Sequence, residues 1–142
     1  MSDPHVYDKA KYHYGGDFPE DLPEEQAFVH TAMYLGWIID NNLYSEEFAE
    51  DTEIITQFRQ RQVKATAVYE WWDGCLVDDM LSEEGNAFSH FYFDFEKGQY
   101  LADYEELLLS GLPSLYHVSD TWENYDTMAA RIDNRFADWK QK

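Results

Sequence analysis

Apolar positions recur at intervals of three and four along most of this chain, the spacing that gives an α-helix one apolar face. In "DLPEEQAFVHTAMYLGWIIDNN", Phe28, Ala32, Leu35 and Ile39 keep that spacing until Asn41 and Asn42. Asp21 stands where an N-cap would, with Pro23 in the first turn and Glu24 three residues past the cap, so a helix is predicted over 23–40 with Phe28 and Leu35 buried. "SEEFAEDTEIITQFRQR" predicts a second helix from Ser45, with acids in its first turn, Arg59 and Arg61 at its far end, and a narrower stripe of Phe48, Ile55 and Phe58. "TAVYEWWDG" reads as a short helix from Thr66 to a stop at Gly74, and "LVDDMLS" as a further turn or two. The C-terminal pattern is the longest: Ser119 or Asp120 offers a cap, and Trp122, Tyr125, Ala129, Ile132, Phe136 and Trp139 step by three and four. It predicts a core helix over 120–139 with Trp122, Tyr125, Ile132 and Phe136 buried.

Between these lies a stretch whose pattern fits two structures. In "NAFSHFYFDF", Phe91, Phe93 and Phe95 alternate as in a strand, while Phe88, Tyr92 and Phe95 share one helical face that Asn86 would cap. The helix over 87–95 is the reading taken here, with Gly85 and Gly98 as the dividing points. "QYLADYEELLLSG" follows, with Tyr100, Leu101, Tyr104, Leu107 and Leu108 on one side, Asp103, Glu105 and Glu106 on the polar side, and Gly111 as the stop. Short connections between such helices predict an all-α fold, a single compact orthogonal or irregular bundle of five to seven helices spanning residues 1–142 as one domain.

Charge adds what the pattern lacks. The chain has 29 acidic and 10 basic residues, a net charge of −19, and a pI near 4.3. Such a balance opposes binding to nucleic acid or an anionic membrane and favours a basic partner. Residues 76–110 alone hold nine carboxylates against one lysine, interleaved with aromatics whose burial makes disorder unfavourable. The longest apolar runs fall short of a membrane span, and "MSDPHVYDKAKYHYGGD" has neither an apolar signal core nor an Arg-rich amphipathic helix, so the expected place is the cytoplasm.

The search for chemistry returns no phosphate loop, no paired Cys or Cys/His zinc spacing, no HExxH and no GxSxG elbow. His5, His13, His30, His90 and His117 are scattered, and His30, beside Tyr34 and Trp37, reads as a hydrogen-bonded structural histidine rather than a base. The carboxylates Glu83, Glu84, Asp94, Glu96, Asp103 and Glu106 match neither an EF-hand loop nor a di-iron pattern, so no catalytic residue, metal or cofactor is assigned. Cys75, the only cysteine, reads as a small buried hydrophobe. Trp71 and Trp72 cannot both face one core from a helix, so one of them is expected to be partly exposed or covered by another segment, and Tyr12, Tyr14 and Tyr116 lie in loop-like sequence. Exposed aromatics beside acids suit a basic protein, whose Lys and Arg would pair with the acids and stack on the rings.

"YHYGGDFPEDLPEEQAFVHTAMYLGW", "DDMLSEEGNAF", "YLADYEELL" and "LYHVSDTWENYDTMAARIDNRFADWK" resemble a family of small acidic bacterial proteins catalogued only as a domain of unknown function. The resemblance implies a bacterial, cytosolic, single-domain helical protein and carries no catalytic residue with it. In general type, such a protein is similar to immunity proteins that neutralise a toxin. The expectation is therefore a non-enzymatic antitoxin that occludes a basic toxin or nucleic-acid enzyme through Asp78, Asp79, Glu83, Glu84, Asp103, Glu105 and Glu106. A nucleic-acid mimic with an elongated acidic face is the alternative, and a small carboxylate-dependent enzyme a more distant one.

Overall fold

A computed structural model describes residues 6–9, 22–94, 98–109, 111–112 and 115–141. Among them are seven α-helices: α1 (Val29–Asp40), α2 (Glu46–Ala49), α3 (Thr52–Arg59), α4 (Ala65–Trp71), α5 (Glu83–Tyr92), α6 (Tyr100–Leu108) and α7 (Trp122–Lys140). Two short strands, β1 (Val6–Lys9) and β2 (Cys75–Val77), pair antiparallel, and single 3₁₀ turns cover Glu24–Phe28, Asp78–Met80 and Leu115–His117. The fold is the helical bundle the pattern predicts, with one small two-stranded sheet added.

At its centre is α1, buried from Val29 to Ile39. Eleven consecutive buried residues mean that apolar neighbours surround the helix, whereas one stripe of Phe28, Ala32, Leu35 and Ile39 would serve a surface helix. It packs against α4, α3 and α7. His30 and Thr31 within that stretch are covered too, and they turn to Asp8 on β1. The approach to α1 is not α-helical from residue 23, as the spacing suggested. Pro23 leads into the 3₁₀ turn, and Gln26 reaches across to donate Nε2 hydrogen bonds of 2.8 Å to the carbonyls of Tyr116 and Val118. Asp21, the expected cap, lies outside the described residues, as do Tyr12, Tyr14, His5 and His13.

The second predicted helix is two. Ser45 caps α2 by accepting from the Phe48 amide at 3.1 Å, and the chain leaves helical geometry at Asp51 (φ −85°, ψ 57°) before α3 begins. The break serves two packing sites at once. Phe48 stacks on Trp72 with centroids 4.6 Å apart, while Ile54, Ile55 and Phe58 bury toward the core. One straight helix of this length could not aim both sets inward.

α4 stops where Asp73 (φ 61°) and Gly74 (φ 66°) turn left-handed, the Gly74 amide donating to the Tyr69 carbonyl at 2.9 Å. The stop falls where the sequence placed it, and of the further turn or two expected in "LVDDMLS" a single 3₁₀ turn forms, Asp78–Met80, after a strand. That strand enters the sheet, with Val77 opposite Val6 and Cys75 opposite Lys9. Three residues carry too little pattern to reveal a strand whose partner lies some seventy positions earlier. Cys75 is half-buried there, not fully buried.

Residues 87–92 are helical, as preferred over a strand, but α5 starts earlier than Asn86. Ser82 is its cap, accepting from the Gly85 amide at 3.1 Å, and Asn86 instead donates to the carbonyl of Asp78 and accepts from the Tyr7 hydroxyl at 2.6 Å. Phe95 lies outside the described residues. α7 is capped by Thr121, which accepts from the Asn124 amide at 3.1 Å, in place of Ser119 or Asp120. Tyr125, Met128 and Ile132 are its buried residues; Trp122 and Phe136, expected to be buried, are half-covered and pack on the core from its edge. Many of the aromatics join in one cluster around α1, with Trp37 reaching Phe88 and Phe136 and Tyr34 stacking on Phe93 at 4.4 Å.

Candidate functional site

The predicted acidic residues divide into three groups. Asp79, Glu83 and Glu84 are exposed and Asp78 half-buried, all gathered around the start of α5. Glu83 and Glu84 sit in that helix's first turn, where its dipole favours negative charge, so they have a structural reason to be acidic. Glu105 and Glu106 are exposed on α6. α7 lies between these groups: Arg131 Nη1 is 2.7 Å from Glu106, and Lys140 Nζ is 3.5 Å from Glu84. Nine residues separate Arg131 from Lys140, which is two and a half helical turns, so the pairs approach α7 from opposite sides. The fold does not merge them into one acidic face.

Asp103 belongs to neither group, and its expected exposure is wrong. Only 2% of the residue is exposed, and its carboxylate joins three elements. Tyr92 on α5 donates its hydroxyl at 2.7 Å, Arg131 donates Nη1 at 2.8 Å, and Arg135 donates Nε at 3.0 Å and Nη2 at 2.8 Å. Burial alone would raise the Asp103 carboxyl, but the hydrogen bonds from Arg135, Tyr92 and Arg131 outweigh it and hold the group below the usual aspartate range. The spacing of Arg131 and Arg135, four apart on one helix face, was the available signal that a carboxylate would be clamped there. This cluster fastens α6 and α5 to α7.

A second buried polar group sits where β1 crosses α1. Thr31 Oγ1 donates to Asp8 Oδ2 at 2.5 Å, and His30 Nε2 lies 3.5 Å from the same oxygen. Tyr100 donates its hydroxyl to the His30 carbonyl, and the rings of Tyr104 and Tyr116 meet the imidazole edge-on. Asp8 and His30 are each 1% exposed, so the arrangement is closed to any substrate, and a base must come within hydrogen-bond reach of the proton it takes. His30 is thus a core residue, enclosed by Asp8, Tyr104 and Tyr116. Among the described residues, no three His, Cys, Asp or Glu side chains are grouped to hold a metal ion, and no helix is long and apolar enough to cross a membrane.

Among the described residues, a groove between α5 and α7 combines concavity, apolar area and charge. Glu84, Phe91, Trp139 and Lys140 line an open cleft of about 530 Å³. Phe91 is 45% exposed at its edge. Trp139 is half-buried, stacked on Phe136 with centroids 5.9 Å apart and an interplanar angle of 20°, and it meets Phe88 at 5.4 Å. Lys140 places Nζ 5.1 Å from the centroid of the Phe136 ring, beside the groove, and 3.5 Å from Glu84 on its wall, a cation–π contact and an ion pair made by one ammonium. Of these residues, sequence reasoning had singled out Glu84 alone. Phe91 was recoverable: with Phe88 and Tyr92 facing the core, the large apolar residue between them must fall at the margin of that face.

On another side, Trp71 is 61% exposed and its indole donates to Asp51 at 3.2 Å, while Trp72 is half-buried under Phe48. This is the division expected of the adjacent pair.

Fold and surface together define a small, strongly acidic helical domain with an aromatic groove. The chain belongs to the family described as Domain of unknown function (DUF7832), which matches residues 6–118, from β1 to just before α7. No curated protein and no solved structure matches it.

Proposed function

We propose that this chain is a cytoplasmic binding protein that neutralises a basic protein partner: an immunity protein that inhibits a bacterial toxin by covering its active or substrate-binding site. The observation that carries the reading is the exposed Glu84 on the wall of the open groove of Phe91 and Trp139, with exposed Glu83 in the same helical turn, on a chain of net charge −19. Carboxylates flanking aromatic area suit Lys- and Arg-rich surfaces, which they attract over distance and stack on at contact. The burial of Asp8 and His30, each 1% exposed, supports binding over catalysis, because this imidazole and carboxylate are enclosed in the core. The separation of the two acidic groups about α7 favours a compact interface over an elongated row of carboxylates imitating nucleic acid.

The test is capture from a lysate of the native bacterium on immobilised protein at low salt, followed by an activity assay of what is retained. A basic protein whose activity or toxicity is lost at one equivalent of this chain is the expected result. Its association rate should fall steeply as salt rises, since steering is screened beyond about 8–10 Å at physiological ionic strength. Retention of no basic protein, or of one whose activity is unaffected, would overturn the reading.

A further inference from the structure

We infer that the groove between α5 and α7 is the seat of one arginine or lysine side chain from that basic partner, and that Lys140 is the chain's own occupant, displaced on binding. This rests on the function proposed above and names the place where contact is made. The groove already solves the problem of holding a cation. The Glu84 carboxylate lies 3.5 Å from the Lys140 ammonium, and the Phe136 ring faces it at 5.1 Å. The Glu84 carboxylate is available to a visitor, because its side chain is 48% exposed and Lys140, 51% exposed, is tethered in the last turn of α7 by a long flexible stem. An intramolecular pair this exposed holds weakly, and a competing cation needs only a modest advantage to replace it. A guanidinium has one. It is planar, is less strongly hydrated than an ammonium, engages a carboxylate with two donors and stacks on an aromatic face. Phe91 and Trp139 supply apolar walls for the methylene stem of the incoming side chain, and the groove's volume of about 530 Å³ accommodates it once Lys140 swings out. The charge of the whole chain draws basic rather than acidic segments to the opening.

The probe is acetyl-tetra-arginine amide, with acetyl-tetra-citrulline amide as its neutral counterpart, followed by the indole N–H signals of the intact protein in nuclear magnetic resonance. The Trp139 signal is identified as the one lost in Trp139→Phe. Saturable movement of the Trp139 signal by the arginine peptide and not by the citrulline peptide is expected. Lys140→Gln removes the internal competitor and should tighten binding about 2- to 5-fold, and Glu84→Gln should weaken it by a similar factor. Lys64→Gln, an equal change of charge at an exposed lysine away from this groove, should alter affinity less than Lys140→Gln, and Phe91→Ala should weaken binding without changing the melting temperature. Arginine-dependent movement confined to another indole, such as that of Trp71, or weaker binding by Lys140→Gln, would overturn the assignment of the groove while leaving the proposed function standing. Absence of salt-sensitive binding at any indole, together with no basic protein captured, would overturn both.

Discussion

Replacing Asp103 by asparagine removes one negative charge and almost no volume from the junction of α5, α6 and α7. The carboxylate accepts four hydrogen bonds, three of them from Arg131 and Arg135 and one from the buried Tyr92 hydroxyl. Asparagine keeps a single acceptor oxygen and turns an amide toward guanidinium donors. Breaking a fully buried ion pair costs about 3–5 kcal/mol. Here the arginine side chains are 25% and 31% exposed and regain some hydration, so the loss should be about 2–4 kcal/mol at neutral pH. At roughly 3–4 °C per kcal/mol for a chain of this length, melting falls by about 6–16 °C. The same geometry fixes a pH dependence. Because the folded-state carboxyl is held below its ordinary value, the unfolded chain binds this proton first on acidification. The contribution of Asp103 is therefore complete above the unfolded value of about 3.9 and is lost as pH falls below it and through the folded value. Urea unfolding of the wild type and Asp103→Asn from pH 7 to pH 3 tests both parts, the difference cancelling the other carboxylates. The curves should be parallel above about pH 4 and converge below it. A loss under about 0.5 kcal/mol, as for an exposed residue, or a constant difference down to pH 3, would refute the clamp.

Gly85→Ala should destabilise by about 1–3 kcal/mol in the same urea assay, because a β-carbon there would lie 2.5 Å from the Leu43 carbonyl oxygen, which is itself fixed by the Ser82 amide at 2.7 Å. Unchanged stability would mean that the approach of α5 to the loop after α1 is looser than described. Trp71→Ala should change stability by under about 0.5 kcal/mol, whereas Trp72→Ala, which empties the stack on Phe48, should cost about 3 kcal/mol. Equal effects in thermal melts would contradict the division of that pair between solvent and core.

What this chain's sequence determined by itself was its helices and its charge. Helical spacing is written within four residues, so the apolar steps from Phe28 to Ile39 and from Trp122 to Trp139 announce α1 and α7 without knowledge of any partner. Composition alone likewise sets the field that a partner meets. The tertiary structure decided everything that depends on which faces meet. A carboxylate has the same letter whether it is clamped or solvated, and Asp103 differs from its neighbours Glu105 and Glu106 only because α7 brings Arg131 and Arg135 over it from 28 and 32 positions away. The pairing of β1 with β2, the enclosure of His30 by Asp8, and the groove between Phe91 and Trp139 are of the same kind. Each joins segments whose local patterns are complete without the other, and no local spacing records a contact that exists only once the core has formed.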